Sequence, residues 1–230
     1  MREAPKQLAF DLALDPRFGR EDFLVSPSNE QAYGLIESWP DWPDTVLLLQ
    51  GPRGSGKSHL ASIWATTAKG WTTDAFEVTQ ERVPHLISAG ALVIEDADRP
   101  DRDEQALFHL LNLARERKAF VLLTCADPPA RWGLRTPDLL SRLRLAPSVS
   151  LGAPDDALLR AVLVKLFVDR QLVVDTTVVD YISLRIERSL ARAAEVVADL
   201  DREALSRGRR ITRPMAASIL EAAAEAEDPE

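Results

Sequence analysis

The sequence predicts an α/β fold, a doubly wound parallel sheet followed by a small all-helical domain. Three observations predict it. Short apolar runs stand at 45–50 (TVLLLQ), 91–95 (ALVIE) and 120–124 (FVLLT), a glycine-rich loop follows the first run, and the pattern changes abruptly after Pro154. Unbroken rather than alternating apolarity is the mark of strands buried on both faces, as in a parallel sheet. Weaker strand candidates are 71–74 and 148–151. Helical patterns fall between them at 57–67, 81–88, 103–117 and 137–143, so strand and helix alternate with right-handed crossovers. Beyond Pro154 helices are expected at 155–170, 176–185, 189–206 and 213–224, with Asp155, Thr176 and Thr212 as caps. The expected organisation is an N-terminal segment 1–20, an α/β domain 21–153 and a helical domain 154–230, hinged at 151–154. The acidic stretch 222–230 is expected to fray.

At 230 residues and 46% hydrophobic content the chain can bury a substantial core, which excludes global disorder. The net charge of −8 argues against a broad footprint on duplex DNA and leaves room only for a local basic patch. Cys125 is the sole cysteine, so neither an intrachain disulfide nor a cysteine zinc cluster can form, in keeping with a reducing cytoplasm. No signal-peptide core follows Met1, and no apolar run approaches the ~20 residues that span a bilayer. The expectation is a cytoplasmic protein without a membrane contact.

The loop Gly51-Pro-Arg-Gly-Ser-Gly-Lys-Ser58 matches G-x-x-x-x-G-K-[ST] at every fixed position, follows an apolar strand and opens a helix. Gly54 and Gly56 let successive backbone N–H groups turn toward a β-phosphate, and the helix N-terminus adds the positive end of its dipole. Lys57 then reaches the β/γ-phosphates and the Ser58 hydroxyl can ligate Mg²⁺. The candidate nucleotide-binding set is therefore Gly51, Pro52, Arg53, Gly54, Ser55, Gly56, Lys57, Ser58 and the adjoining His59, the last read as packing behind the loop. ADP or ATP with Mg²⁺ is the expected cofactor.

The run ALVIEDAD places Glu95 and Asp96 at the C-terminal end of a strand, the end that faces the ligand crevice in open α/β sheets. One carboxylate would hold Mg²⁺ and the other would orient water, so both join Ser58 as candidate metal-site and catalytic residues. The usual order is Asp then Glu. The reversal here keeps binding but puts the chain's own hydrolysis in doubt.

Several stretches resemble the initiator clade of AAA+ P-loop NTPases, DnaA and its Hda relatives. Phe23-Leu-Val-Ser-Pro-Ser-Asn-Glu-Gln-Ala32 resembles the box that helps enclose adenine, with Ser26 in place of the usual glycine. Lys57-Ser-His-Leu60, Asp103-Glu-Gln-Ala-Leu-Phe-His-Leu-Leu-Asn112, Leu122-Leu-Thr-Cys-Ala-Asp-Pro-Pro129 and Leu139-Leu-Ser-Arg-Leu143 resemble further boxes of that clade. The resemblance implies an AAA+ core with a helical lid. It also implies Thr124 or Asp127 as sensor 1, and Arg142 as an arginine finger acting in trans, with Arg144 two residues away. Sensor 2 falls at Ala191, flanked by Arg188 and Arg192. Arg188 is preferred here because it lies three positions before Ala191, on roughly the same helix face.

Gln7-Leu-Ala-Phe-Asp-Leu12 resembles a sliding-clamp-binding peptide, with Gln7 at the rim of a pocket and Leu8, Phe10 and Leu12 as anchors. Alternating apolar residues also describe an ordinary edge strand. No helix-turn-helix follows the helical domain, and 77–90 leaves room for only one short helix after the second strand. The resemblance then implies an Hda-like negative regulator of replication initiation. Its partners would be DnaA and the DNA polymerase III β sliding clamp, its contact with DNA mainly indirect, and its free state monomer or homodimer. The alternative is a stand-alone AAA+ ATPase or helicase loader that works by its own turnover.

Overall fold

The computed structural model describes residues 19–227, which divide into two compact units, 19–158 and 159–227. The peptide 7–12 lies outside the described residues.

In the first unit five strands, β1 (Val46–Gln50), β2 (Trp71–Asp74), β3 (Ala91–Glu95), β4 (Phe120–Cys125) and β5 (Ser148–Ser150), form one sheet in the order β2-β3-β4-β1-β5. Every pairing is parallel. The helices of this unit are α1 (Glu30–Glu37), α2 (Lys57–Ala68), α3 (Val83–Ile87), α4 (Glu104–Arg117) and α5 (Pro137–Leu145). The sheet has a core on each face, because successive strand residues point to opposite sides. Leu48, Ile94 and Leu123 pack with Leu107, Leu110 and Leu143 of α4 and α5. Leu47, Leu49 and Leu122 pack with Ile36 of α1 and Leu60 and Trp64 of α2. Burial on both faces is what the unbroken apolar runs require.

Two helices differ from expectation. The eight-residue α1 carries Gly34 in its interior, which weakens the local signal; it forms because Ala32 and Ile36 are buried against the sheet. The helix expected at 81–88 shortens to α3, whose start is set by Pro84 in its first turn.

The helical unit contains α6 (Asp156–Asp169), α7 (Thr176–Ser183), α8 (Leu190–Arg207) and α9 (Arg213–Glu227), with Asp156 to Leu158 of α6 lying in the first unit. Leu163, Phe167, Ile182, Val197 and Leu200 lie in its core. Asp155 caps α6 through the Leu158 N–H at 2.7 Å. The cap of α7 is Asp175 and not Thr176: the Asp175 carboxylate accepts the Thr177 N–H at 2.8 Å, which places Thr176 inside the first turn. Ser189 caps α8, and α9 is assigned through Glu227. Among the described residues no helix is long and apolar enough to cross a membrane.

Candidate functional site

The parallel sheet brings the C-terminal ends of β1, β4 and β3 side by side, with Leu49 beside Thr124 and Ile94 beside Leu123. The loop 51–58 leaves β1, the acidic pair ends β3, and Thr124 lies on the strand between them. Convergence at this edge follows from strand order.

In the loop, Gly54 and Gly56 have φ of 72° and 100°, the left-handed region that favours glycine. Gly51 is a close approach: a Cβ there would stand 2.6 Å from the Leu151 carbonyl oxygen and 2.9 Å from Ser55 Oγ. Ser55 Oγ is buried and makes no hydrogen bond among the described residues. The Lys57 ammonium is buried, and its Nζ donates to the carbonyls of Gly51 at 2.8 Å and Pro52 at 3.0 Å. Burial draws its pKa below the ordinary lysine value, and the nearby carboxylates of Asp96, Asp98 and Glu95 oppose that shift. Pro52 and Arg53 form the exposed tip.

Glu95 joins loop to sheet. Its Oε2 accepts from Ser58 Oγ at 3.2 Å and from Thr124 Oγ1 at 2.6 Å. Burial raises its pKa, and the two hydroxyl donors oppose the rise. Asp96 has φ of 50°, an uncommon conformation for a residue with a side chain, of order 1–3 kcal/mol in cost. That turn aims the Asp96 N–H at Thr124 Oγ1, 2.9 Å away. Thr124 therefore bridges both members of the acidic pair.

Of the two sensor-1 candidates, Thr124 is the one placed against the acidic pair. The Asp127 carboxylate pairs with Arg131 at 3.3 Å on the surface. His59 packs behind the loop, edge-on to Phe23 at 5.3 Å with its Nε2 3.0 Å from the Gly19 carbonyl oxygen. Phe23 stacks on Tyr33, and Asn29 is buried, bonding the Ser26 N–H and the Leu24 carbonyl, so the segment 23–33 is built onto the loop. Arg142, on α5, lies with its guanidinium carbon 5.3 Å from the centroid of Phe108, and Arg144 is exposed. Arg188 belongs to the helical unit and stands in the bend before the Ser189 cap. The shared-face argument for it fails, because the helix begins only at Leu190. Arg192 lies inside α8 and pairs with Glu195 at 3.1 Å.

Three residues outside the sequence-predicted set organise this edge. The Asp98 carboxylate accepts the N–H groups of Ala126 and Asp127 at 2.8 and 3.0 Å, fixing the turn after β4. Buried Arg102 donates to the carbonyls of Asp98 at 3.1 Å and Trp132 at 2.6 Å, stapling the β3 and β4 loops together. Glu104 accepts the N–H groups of Arg135 and Thr136, so the first turn of α4 holds the start of α5, the helix that carries Arg142.

No family model matches the sequence, and no curated protein matches it. Solved structures do. Domain III of the replication initiation protein DnaA from Thermotoga maritima aligns with a TM-score of 0.76 and 16% identity, covering 90% of this chain and 97% of that one. The architecture is that of an AAA+ P-loop NTPase. The RuvB Holliday junction branch migration motor of Thermotoga maritima aligns with a TM-score of 0.70 and 16% identity, over 89% of this chain and 71% of that one. A replication initiator DnaA bound to AMPPCP and single-stranded DNA gives a TM-score of 0.67 and 19% identity, over 85% and 69%.

The residues at the strand edge fit a magnesium nucleotide. The Gly51 cradle has no room for a Cβ, Ser55 presents a buried hydroxyl without a partner, and the hard oxygen ligands available are Ser58 and the carboxylates of Glu95 and Asp96. Among the described residues no cluster of three or more acidic, His or Cys side chains could cage an ion unaided.

Proposed function

We propose that the chain binds ADP or ATP with Mg²⁺ in the loop 51–58 and acts as an Hda-like regulator, promoting hydrolysis of the ATP held by DnaA. The observation that carries the nucleotide reading is the convergence of Lys57, Ser58, Glu95 and Thr124 at one strand edge. Backbone N–H groups of 54–58 and the start of α2 are placed to receive phosphoryl oxygens. The Lys57 ammonium, held by loop carbonyls, exchanges those partners for phosphate. Ser58 and Glu95 would hold Mg²⁺, whose charge would offset that of the phosphates. Thr124 orients Glu95, and Asp96 supplies the second carboxylate.

Action on a partner's nucleotide, rather than on the chain's own, is supported by two features. Glu95 is committed to two hydroxyl donors in its own site, which suits ion binding better than proton abstraction. Arg142 sits half-exposed on a helix secured at its start by Glu104, a place from which an arginine can reach a neighbouring site. The peptide Gln7 to Leu12 tethers the regulator to the DNA-loaded sliding clamp, raising its concentration near DnaA without a large interface. This last step rests on the sequence alone.

Calorimetry with Mg²⁺ and ADP or ATP tests the first step. Lys57→Ala removes a charged hydrogen-bond donor and lowers affinity by roughly 10- to 100-fold; unchanged affinity rejects the site. Hydrolysis of DnaA-bound ATP with clamp on DNA tests the second. Arg142→Ala is expected to retain clamp binding and lose stimulation by ~10³-fold, the lower end for an arginine finger. Equal stimulation by the variant removes Arg142 from the mechanism. Vigorous turnover by the protein alone favours the stand-alone ATPase or helicase-loader reading.

A further inference from the structure

The segment Arg207-Gly-Arg-Arg-Ile-Thr-Arg213 has four arginines in seven residues and no acid, in a chain of net charge −8. Arg207 ends α8, Gly208 turns the chain in the left-handed region at φ 59°, and Arg213 opens α9. Ile211 is buried in the helical core and the Arg209 N–H bonds the Ala204 carbonyl at 3.1 Å, so the turn is anchored and its guanidinium groups face outward.

These arginines differ from others on the same unit. Arg160 pairs with Asp180 at 2.6 Å, Arg192 with Glu195 and Arg202 with Asp199, each at 3.1 Å. Arg207 pairs with Glu203. Arg209 and Arg210 are exposed and form no ion pair among the described residues. At the edge of the cluster two further guanidinium groups share one ring: the carbons of Arg185 and Arg213 lie 3.9 and 4.8 Å from the centroid of Tyr181. Two like charges on one ring repel, and among the described residues no ion pair with a carboxylate joins them. Between the arginines is a concavity of about 400 Å³ lined by Arg207, Arg209 and Arg210, by the hydroxyl-bearing Thr212 and Ser218, and by Pro214 and Met215 at its apolar side.

We propose that this cluster is a binding site for the backbone phosphates of a nucleic acid. The chemistry is specific to that class. Guanidinium forks match tetrahedral phosphate bidentately, hydroxyls add donors that suit phosphate oxygens, and a spread of exposed arginines matches a repeating anion. No base-reading group is needed, so recognition is of charge and spacing. The inference is independent of the nucleotide site and adds a direct contact to a regulator tethered through a clamp.

The test uses the full chain and fluorescence anisotropy with a labelled duplex and a labelled single strand, both of arbitrary sequence. Both bind, and affinity falls steeply with salt, with a slope of about −0.9 per phosphate neutralised on duplex. Arg209→Ala/Arg210→Ala weakens the slope by about 2, and affinity for duplex at low salt drops roughly 10-fold. The charge-matched control Arg160→Ala/Arg202→Ala leaves both unchanged. Circular dichroism confirms that each variant is folded. Lys57→Ala binds oligonucleotide as well as the parent does, whatever it does to ADP. The proposal is overturned if neither oligonucleotide binds at low salt, if the control weakens binding as much as the 209/210 variant, or if Lys57→Ala abolishes it. Displacement of the oligonucleotide by polyglutamate at equal charge also overturns it, in favour of an acidic protein surface.

Discussion

The two compact units use their charged side chains differently. In the α/β unit, beside local pairs such as Arg131 with Asp127, the polar contacts at the strand edge join residues far apart in the chain: Ser58 to Glu95, Thr124 to Glu95, Arg115 to Asp44, and Glu104 to the start of α5. In the helical unit many are local, as in Lys165 with Asp169, Arg192 with Glu195 and Arg202 with Asp199. Local pairs solubilise a helix face and contribute little each. Long-range contacts specify where loops stand, and the candidate chemistry lies among them.

The strongest challenge to that contrast is in the cores, where both units should behave alike. Leu122 of β4 and Leu200 of α8 are each fully buried. Leu122→Ala and Leu200→Ala should each cost about 2–5 kcal/mol by chemical denaturation, from lost transfer energy plus an unfilled cavity. Hydrogen exchange should report the loss first in the core that was truncated. If Leu200→Ala costs under ~1 kcal/mol, the helical unit lacks a packed core of its own.

Legibility in the sequence follows the same division between local and distant contacts. The runs VLLLQ, ALVIE and FVLLT were readable because a strand buried on both faces must be apolar at every position. The loop 51–58 was readable because its glycines, Lys57 and Ser58 act within eight consecutive residues. Asp98, Arg102 and Glu104 left no such trace. Each is an ordinary charged residue in a polar stretch, and its role appears only when the β3 and β4 loops meet. The choice between Thr124 and Asp127 was open for the same reason: the hydroxyl of Thr124 matters because β4 lies next to β3. Arg188 failed on a boundary, since the spacing argument assumed helix where the chain bends toward the Ser189 cap. α1 leaves little trace because its apolar face is short and Gly34, on the exposed side, lowers its helix propensity.

A middle-sized effect sharpens the comparison. Glu104 is one acceptor serving the backbone donors of Arg135 and Thr136, so Glu104→Ala should cost about 1–2 kcal/mol. Burial acts to raise the Glu104 carboxyl, but the donors of Arg135 and Thr136 outweigh it and hold it below the ordinary value of 4.5. A carboxyl depressed in the folded state stabilises fully above its unfolded pKa and loses that contribution as pH falls through its folded pKa. The gap between parent and variant in urea midpoint should therefore be full at neutral pH and close as pH drops below 4.5. Because α5 carries Arg142, the function proposed above also requires that the variant stimulate DnaA hydrolysis less while binding nucleotide normally. A gap that persists unchanged to low pH would assign the loss to packing instead.

The smallest expected effect is the most direct check on the local pairs. Arg202 and Asp199 lie one turn apart on α8, with side chains 66% and 39% exposed. Both remain hydrated when apart, so their contact replaces water with little gain, and ordering two flexible side chains offsets part of it. Asp199→Ala should change stability by no more than ~0.5 kcal/mol, a change that shrinks with added salt. Alanine's higher helix propensity pulls in the stabilising direction, so even the sign can reverse. A loss above ~1 kcal/mol that survives high salt would mean that this pair specifies helix packing, and local charges could no longer be ranked below the long-range contacts.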